Sequence, residues 1–241
     1  MKGERLKVEA HAKINLTLEV LGRRPDGYHE LRSVVVPIPL HDDVVLEASD
    51  EISVEMDALN APQERNLAWR AAQALRQATG CARGARISIV KRIPAGGGLG
   101  GGSADAAAVL NGLNELWGLH LSKERLAEIG ATVGSDVPAL VWGGPVLMEG
   151  RGERVSPLPL DVRVPDLARL VLRFPSVAAS TPAVYAEFRE EDRGRGANDL
   201  QPAACRLYPE IAAALKALEA EGCEGVQMTG SGSTVFGWEK V

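Results

Sequence analysis

The sequence predicts an α+β protein in which strands and helices mix without strict β–α–β alternation. Three observations support this prediction. Residues 8–20 alternate apolar and polar side chains without a break, as in a half-buried strand. A short strand, a glycine-rich loop and an amphipathic helix follow one another between residues 85 and 117. The last third of the chain combines helical patterns with two short strands that flank Gly230-Ser231-Gly232.

The predicted elements before the glycine-rich loop are mostly strands. Residues 8–20 and 31–38 form a hairpin around the turn at 23–27, where proline and glycine favour a reversal. One or two further strands lie between residues 44 and 54. A helix over 64–79 and a strand over 85–91 complete this part, because their apolar residues recur with helical and strand periods.

The elements after the loop are more often helical. In chain order they are a helix from about Ser103, a helix over 123–133 capped by Ser122, strand and turn over 139–149, a proline-rich linker over 157–165, a strand over 167–174, helices over 182–191 and 208–221, an exposed loop over 189–195, and strands over 226–229 and 235–238. We find no internal repeat.

Composition excludes several classes of protein. The formal net charge is −5, so no overall basic surface is available for nucleic acid. No apolar run approaches the roughly 18 to 20 residues that span a bilayer, and no signal-peptide pattern precedes the first strand. Three cysteines without a Cys-x-x-Cys indicate a reducing compartment, and the 4 histidines show no metal-ligand spacing. We therefore expect a cytoplasmic protein that binds no nucleic acid, membrane or protein-bound metal. We also expect a monomer or weak homodimer.

The glycine-rich loop carries the main functional signal. Residues 96–102 contain six glycines in seven positions, and each glycine costs about 0.5 to 1 kcal/mol of stability relative to alanine. A loop without Cβ atoms can wrap around phosphate oxygens, and the following helix adds free N–H groups and the positive end of its dipole. We expect Ser103 to cap that helix or bind phosphate. A merely mobile loop is disfavoured by the regular strand and helix on either side.

Two common phosphate-binding patterns do not fit this loop. It lacks the Gly-Lys-Ser/Thr of a Walker A motif. Gly96-x-Gly98-x-x-Gly101 matches the dinucleotide fingerprint, but no acidic residue ends a second strand about 20 residues later. A nicotinamide-dependent oxidoreductase is therefore a distant alternative.

Five segments together resemble one superfamily. Residues 94–104 resemble the ATP loop of the GHMP kinases, and residues 229–233 resemble their C-terminal glycine motif. Ala-Lys-Ile-Asn-Leu at 12–16, Asp-Gly-Tyr-His-Glu-Leu at 26–31 and Gly-Ser-Asp-Val-Pro at 134–138 are similar to the members that act on a cytidine-diphosphate-linked methylerythritol. The resemblance covers nearly the whole chain.

This resemblance implies a fold and an activity. The fold would be a two-domain GHMP kinase fold, with a ribosomal-protein-like α+β domain over 1–158 and a ferredoxin-like domain over 159–241. The second domain is apparently shortened and would lack its last helix and strand. The activity would be transfer of phosphate from ATP, with Mg²⁺, to the 2-hydroxyl of the substrate in non-mevalonate isoprenoid precursor synthesis. Another GHMP small-molecule kinase and a non-catalytic nucleotide-binding protein are the alternatives.

The resemblance also implies roles for individual residues. Lys13 and Asp136 would be catalytic, with Asp136 as general base, although from the sequence alone they also fit a solvated side chain and a helix cap. Substrate would contact Asn15, Tyr28, His29, Thr181 and Tyr185. ATP would contact Pro94, Ala95, Gly96, Gly97, Gly98, Leu99, Gly100, Gly101, Gly102, Ser103, Ala104, Asn66 and Lys91. We expect His11 to be structural.

Overall fold

The computed structural model describes residues 4–56, 62–159 and 161–240. The strands are β1 (Arg5–Arg23), β2 (His29–Ser49), β3 (Ile52–Met56), β4 (Gly84–Val90), β5 (Val146–Gly150), β6 (Arg154–Pro157), β7 (Leu170–Arg173), β8 (Glu224–Met228) and β9 (Val235–Trp238). The helices are α1 (Leu67–Thr79), α2 (Gly101–Leu116), α3 (Lys123–Ala131), α4 (Val137–Trp142), α5 (Thr181–Glu187), α6 (Gln201–Leu207) and α7 (Pro209–Ala220).

The N-terminal sheet is organised around one long strand. It runs β3-β4-β2-β5-β6, with β1 also paired to β2. One edge of β2 pairs with β1, while the other pairs with β5 near Leu31 and with β4 near Leu46. The two strands expected at 31–38 and from 44 are therefore a single strand. Pro37 and Pro39 hide this continuity in the sequence, because prolines look like strand ends. The strand tolerates them because they lie where only β1 pairs with β2.

Helices α1 to α4 pack on this sheet around the main core, whose helical side is rich in alanine. Small side chains let α1 and α2 approach each other closely. At Gly112 a Cβ atom would lie 2.4 Å from Leu46 Cδ1, so α2 rests directly on β2. This packing fixes the position of the N-terminus of α2, at the end of the glycine-rich loop.

Strand β1 changes face in its middle. Ile14 belongs to the main core, whereas Leu18 and Val20, which have the same parity, pack in a second core with helices of the C-terminal part. The cause is a β-bulge, since two steps along β1 from Asn15 to Thr17 match one step along β2. The strict alternation predicted one apolar face. The structure instead gives β1 two apolar stretches on opposite faces.

The C-terminal part has its own antiparallel sheet of three strands, in the order β7-β9-β8, covered by α5, α6 and α7. Val184, Leu200, Ile211 and Met228 are buried between them. Strand β6 of the first sheet ends at Pro157 and β7 of the second begins at Leu170. A domain division between residues 158 and 159 lies within this interval and stays a prediction.

Several predicted elements need correction. Residues 139–142 belong to α4 and not to a strand, because Pro138 begins a helical turn that Gly143 ends in the left-handed conformation. Helix α6 was not predicted. The charged segment 189–195 is not simply an exposed loop, since Asp192 is buried and its carboxylate accepts hydrogen bonds from Arg206. Across the described ranges, every helix is too short or too polar to cross a bilayer.

Candidate active site

A cleft of about 1180 Å³ opens between the two parts of the molecule. Its walls come from the middle of β1, the start of β2, the end of the glycine-rich loop, the N-terminus of α4 and helix α5. Both predicted catalytic residues and all predicted substrate residues line it: Lys13, Asn15, Tyr28, His29, Asp136, Thr181 and Tyr185. Gly98 and Gly100 of the loop line it as well. The structure thus brings five distant sequence segments into one cavity.

The loop conformation explains its glycines. Gly96, Gly98 and Gly100 have φ values of +74°, +74° and +70°, which disfavour any residue with a Cβ atom. At Gly98 an added Cβ would also lie 2.5 Å from the carbonyl oxygen of Thr229. The loop therefore alternates in backbone handedness while it presses against the C-terminal glycine segment.

Helix α2 begins without a capping side chain. Gly100 occupies the N-cap position, and the helix starts at Gly101, two residues earlier than expected. Ser103 is therefore a first-turn residue and not the cap. The N–H groups of this first turn receive no side-chain cap, and the helix dipole adds partial positive charge there. This helix end can accept an anionic group of a ligand.

Lys13 is buried at the centre of the cleft wall, only 3% exposed. Its Nζ donates hydrogen bonds to Asn15 Oδ1 and to the carbonyl oxygen of Gly98, both at 2.8 Å. The same Nζ lies 3.6 Å from Asp136 Oδ2. The ammonium group thus joins strand β1, the glycine-rich loop and the start of α4. The interpretation of Lys13 as a solvated side chain is wrong.

A buried polar network fixes the position of this lysine. Asn15 Nδ2 donates to Ser33 Oγ at 2.7 Å, which leaves Oδ1 facing the Lys13 ammonium. The hydroxyl of Thr229 accepts from the Asn15 backbone N–H at 3.0 Å and donates to Asn15 Oδ1 at 3.3 Å. Asn15 borders the cleft, but its main contacts orient Lys13.

Asp136 stands at the N-cap position of α4, yet its carboxylate makes no capping hydrogen bond. The helix-cap interpretation of this residue is therefore wrong. About a third of its side chain is exposed, and the exposed part faces the cleft beside Lys13. A carboxylate held beside an ammonium group, without a structural hydrogen bond from its own helix, is available to accept a proton from a ligand.

Aromatic rings form another part of the cleft wall. The His29 imidazole stacks on the Tyr185 ring with centroids 5.0 Å apart, and Phe188 meets His29 edge-on at 6.1 Å. Burial, together with the charge of Asp136, raises the pKa of Tyr185 above its usual range. Burial and the positive charge of Arg23 lower the pKa of His29. Both rings are therefore neutral near pH 7 and suited to contact a planar, uncharged group.

Two other predicted substrate residues are held differently. Tyr28 is more than half exposed, and the Arg151 guanidinium lies 4.9 Å from the centre of its ring. The Thr181 hydroxyl forms a hydrogen bond of 2.7 Å with Ser231 Oγ, which ties α5 to the C-terminal glycine segment. Thr181 therefore has a structural contact in addition to its place on the cleft wall.

The predicted ATP residues separate into several groups. Pro94, Ala95 and Gly97 line a second, smaller pocket of about 250 Å³, while the side chains of Leu99 and Ala104 are buried in the core. Asn66 caps α1 through a hydrogen bond from the Ala68 N–H to its Oδ1, at 2.8 Å. Gly98 and Gly100 line the cleft through their backbone, whereas Gly96, Gly101, Gly102 and Ser103 line neither pocket.

Lys91 lies in a buried charge cluster behind the loop. Its Nζ donates to Asp42 Oδ2 and to Asp105 Oδ2, the latter at 2.6 Å. Burial raises the pKa of Asp105 to about 7, despite the neighbouring ammonium. Burial also opposes ionisation of Asp42, but hydrogen bonds from Lys91 and two backbone N–H groups outweigh it and lower the Asp42 pKa. The Lys91 ammonium is thus engaged with these two carboxylates.

Several further residues of the cleft carry no recognisable signal in the sequence. Arg23, Arg151 and Arg193 line the cleft and supply positive charge at its rim. Buried Asn198 donates to the carbonyl oxygens of Met228 and Gly230, at 2.8 and 2.9 Å, and so shapes the C-terminal glycine segment. Arg23 is the last residue of β1, and Arg151 and Arg193 lie in turns, so none of them carries a periodic signal.

Comparisons with known proteins identify the family of this chain. The family model for the GHMP kinases N terminal domain matches residues 66–144, and the model for the GHMP kinases C terminal domain matches residues 180–239. A 4-diphosphocytidyl-2-C-methyl-D-erythritol kinase of Symbiobacterium thermophilum is 47% identical over 96% of this chain and 90% of its own length. One of Geobacter sp. strain M21 is 42% identical over 97% and 89%.

Solved structures give the same result. A crystal structure of a 4-(cytidine 5'-diphospho)-2C-methyl-D-erythritol kinase superposes with a TM-score of 0.81 and 36% identity, over 98% of this chain and 90% of that chain. A homoserine kinase from Cytophaga hutchinsonii has a TM-score of 0.71 at 20% identity, over 98% and 85%, and shares the fold. The expected two-domain GHMP kinase fold is confirmed. The chain belongs to the 4-diphosphocytidyl-2-C-methyl-D-erythritol kinase family of the GHMP kinases.

Proposed function

We propose that this chain transfers the γ-phosphoryl group of ATP to the 2-hydroxyl of 4-diphosphocytidyl-2-C-methyl-D-erythritol, giving the 2-phosphate and ADP in the non-mevalonate isoprenoid precursor pathway. The observation that carries the proposal is the position of the Lys13 ammonium. It lies between the Gly98 carbonyl of the loop and the Asp136 carboxylate, inside the cleft. Membership of the kinase family supports the same reaction.

The loop and the start of α2 would bind the triphosphate. The uncapped first-turn N–H groups and the helix dipole favour an anion at this end of α2. Three loop glycines in the left-handed region allow the backbone to approach the phosphate oxygens closely. The terminal phosphoryl group would then face Lys13 and Asp136.

Lys13 and Asp136 would divide the chemistry. Phosphoryl transfer has a loose transition state, so catalysis rests mainly on orientation and on stabilisation of charge on the phosphoryl oxygens. Buried Lys13, fixed by Asn15 and Gly98, supplies that charge without reorganisation. The Asp136 carboxylate accepts the proton of the substrate hydroxyl while the hydroxyl oxygen attacks the γ-phosphorus and ADP leaves. A positioned base of this kind contributes about 10² to 10⁴-fold in rate.

The aromatic part of the cleft wall would hold the cytidine part of the substrate. The neutral His29–Tyr185 pair offers a planar surface for a base, and such stacking contributes about 1 to 3 kcal/mol per base. Arg23 and Arg193 line the same cleft and provide charge for the diphosphate. The sugar alcohol would then lie between the diphosphate and Asp136.

Mg²⁺ is proposed to accompany ATP. It prefers oxygen ligands and keeps several waters, so few protein groups are needed beside the phosphates. Ser103 Oγ lies beside the loop that precedes Asp136 and is an oxygen ligand of the required type. When bound, the ion would neutralise charge on the phosphate oxygens.

A coupled assay of ADP release tests the proposal. We expect ADP release that depends on 4-diphosphocytidyl-2-C-methyl-D-erythritol and not on mevalonate or homoserine. Asp136→Asn should reduce kcat by about 10² to 10⁴-fold while ATP affinity is retained. The matched control is Asp161→Asn, at an exposed position outside the cleft.

Two results would contradict it. ADP release with a different acceptor would assign another substrate. Turnover close to that of the unchanged protein in folded Asp136→Asn would remove the general base from the mechanism.

A further inference from the structure

Three side chains with metal-binding atoms converge on the strand pair β1–β2, outside the cleft residues. Glu9, His11 and His41 each present one ligand atom, and these atoms all lie within 4.8 Å of one another. His11 Nε2 is 3.2 Å from Glu9 Oε2, and His41 Nε2 is 3.7 Å from Glu9 Oε1. Within the described ranges no other group of three histidine, cysteine or acidic side chains meets this condition.

Strand register, not sequence spacing, creates this group. His11 on β1 is the direct cross-strand partner of His41 on β2, and Glu9 precedes His11 by two residues on the same face. The two imidazole rings lie 5.3 Å apart. Thirty positions separate the histidines along the chain, so their spacing carries no metal-ligand pattern.

Backbone contacts fix the orientation of both imidazoles. Nδ1 of His11 lies 3.0 Å from the carbonyl oxygen of Ile38, and Nδ1 of His41 lies 2.8 Å from that of Pro39. A carbonyl oxygen only accepts, so each Nδ1 carries a hydrogen and donates it. In the neutral ring Nε2 then holds a lone pair. This is the usual outer hydrogen bond of a metal-bound histidine, which fixes the ring and its tautomer.

A cation placed among these atoms would stabilise their arrangement. Two Nε2 atoms and a carboxylate face one another at short range, and a shared metal ion, or a proton on one imidazole, offsets the repulsion between their lone pairs. The neighbouring basic side chains do not supply this charge, because Lys7 and Arg92 are paired with the Asp43 carboxylate. One metal ion would satisfy all three ligand atoms after shifts of less than an ångström or so.

We propose that Glu9, His11 and His41 form a binding site for Zn²⁺. Two imidazoles and one carboxylate are a common zinc ligand set, with the fourth position left to water. Asp43 Oδ1, 3.8 Å from His41 Nε2, is a second candidate for that position. Mg²⁺ is disfavoured, because it prefers oxygen ligands to imidazole. The site is therefore distinct from the magnesium proposed to accompany ATP.

The bound ion would act on the strand register. The His11–His41 pair is the last one before the register shift between His11 and Lys13. A cross-strand metal would hold β1 against β2 directly before the strand reaches Lys13. Its role is structural, and none of its ligands lines the cleft.

Zinc binding is tested on the full chain after treatment with a chelator. We expect one equivalent of Zn²⁺ in competition with a chromogenic indicator, and a visible d–d spectrum of low-symmetry coordination when Co²⁺ replaces it. Zinc at about 100 times its dissociation constant should raise the unfolding midpoint by roughly 5 °C.

Variants separate this site from other zinc-binding groups. Glu9→Gln, His11→Gln and His41→Gln should each weaken zinc binding at least about tenfold and remove most of the stabilisation. His120→Asn is the matched control, since His120 is exposed and asparagine tolerates its positive φ of 54°. Absence of stoichiometric zinc binding, or equal binding by all four variants, would overturn the proposal. If a glutamine variant does not fold, cobalt spectra of the remaining two decide.

Discussion

Replacing Asp105 with asparagine should change how the stability of the protein depends on pH. Asp105 lies in α2 and is 4% exposed. Its Oδ2 accepts a hydrogen bond from Lys91, while its Oδ1 has no partner among the described residues. Lys91 is already paired with Asp42. Ionisation of the Asp105 carboxyl is therefore unfavourable in the folded protein.

The sign of this pH dependence follows from the pKa of Asp105 in the folded and in the unfolded state. Burial raises the pKa of Asp105 from 3.8 to about 7 in the folded state. The folded state therefore binds this proton more tightly than the unfolded state does. The resulting stabilisation is complete below the unfolded pKa and is lost as pH rises through the folded pKa. The two pKa values differ by about 3, so this proton contributes at most about 4 kcal/mol to the free energy of unfolding.

Asparagine removes this titration. The free energy of unfolding of Asp105→Asn, relative to the unchanged protein, should improve by up to about 4 kcal/mol between about pH 4 and pH 8. Urea unfolding at a series of pH values measures it, with Asp161→Asn as the exposed control. If the curve for Asp105→Asn runs parallel to that of the unchanged protein over this range, Asp105 does not titrate as described.

Three further predictions concern the cleft. Gly98→Ala should abolish most kinase activity and destabilise the chain by about 2 kcal/mol or more, because its Cβ would strike the Thr229 carbonyl at positive φ. Gly80→Ala, with a similar φ and no atom near its Cβ, should cost about 1 kcal/mol and keep activity. Lys13→Met should lower kcat about 10² to 10³-fold in steady-state assays, with a smaller change in KM for ATP; an equal change in both would contradict the proposed role. Tyr185→Ala should raise KM for the cytidyl substrate about 5 to 100-fold and leave KM for ATP unchanged, while Tyr185→Phe stays near the unchanged protein; a rise in KM for ATP alone would place the base elsewhere.

Local periodicity predicted many of the elements correctly. The first strand and helices α1, α3 and α7 were found within a few residues, because each carries a regular apolar pattern along its length. The continuity of β2 was missed, since prolines at 37 and 39 look like strand ends. Helix α4 was missed because six residues with a proline give too short a pattern to distinguish from a strand.

The site depended on contacts between distant segments. The glycine-rich loop could be recognised from the entropy cost of its composition. The pairing of Lys13 with Asp136 could not, since only the fold brings residues so far apart within 3.6 Å; the resemblance to a family suggested it. The burial of Lys13 and Asn15 was also hidden, because alternation along β1 assigned their face to solvent, whereas the C-terminal part covers it.

The bulge in β1 has a consequence for the independence of the two halves. Leu18 and Val20 are covalently part of the first sheet, but they complete the apolar interior of the second half, together with Leu31 of β2. Cutting the chain in the proline-rich connection would expose these three side chains to solvent in the first fragment. It would also leave a cavity in the apolar core of the second fragment. The halves are thus interlocked, not modular, and we expect neither to be recovered as a well-behaved protein when produced alone.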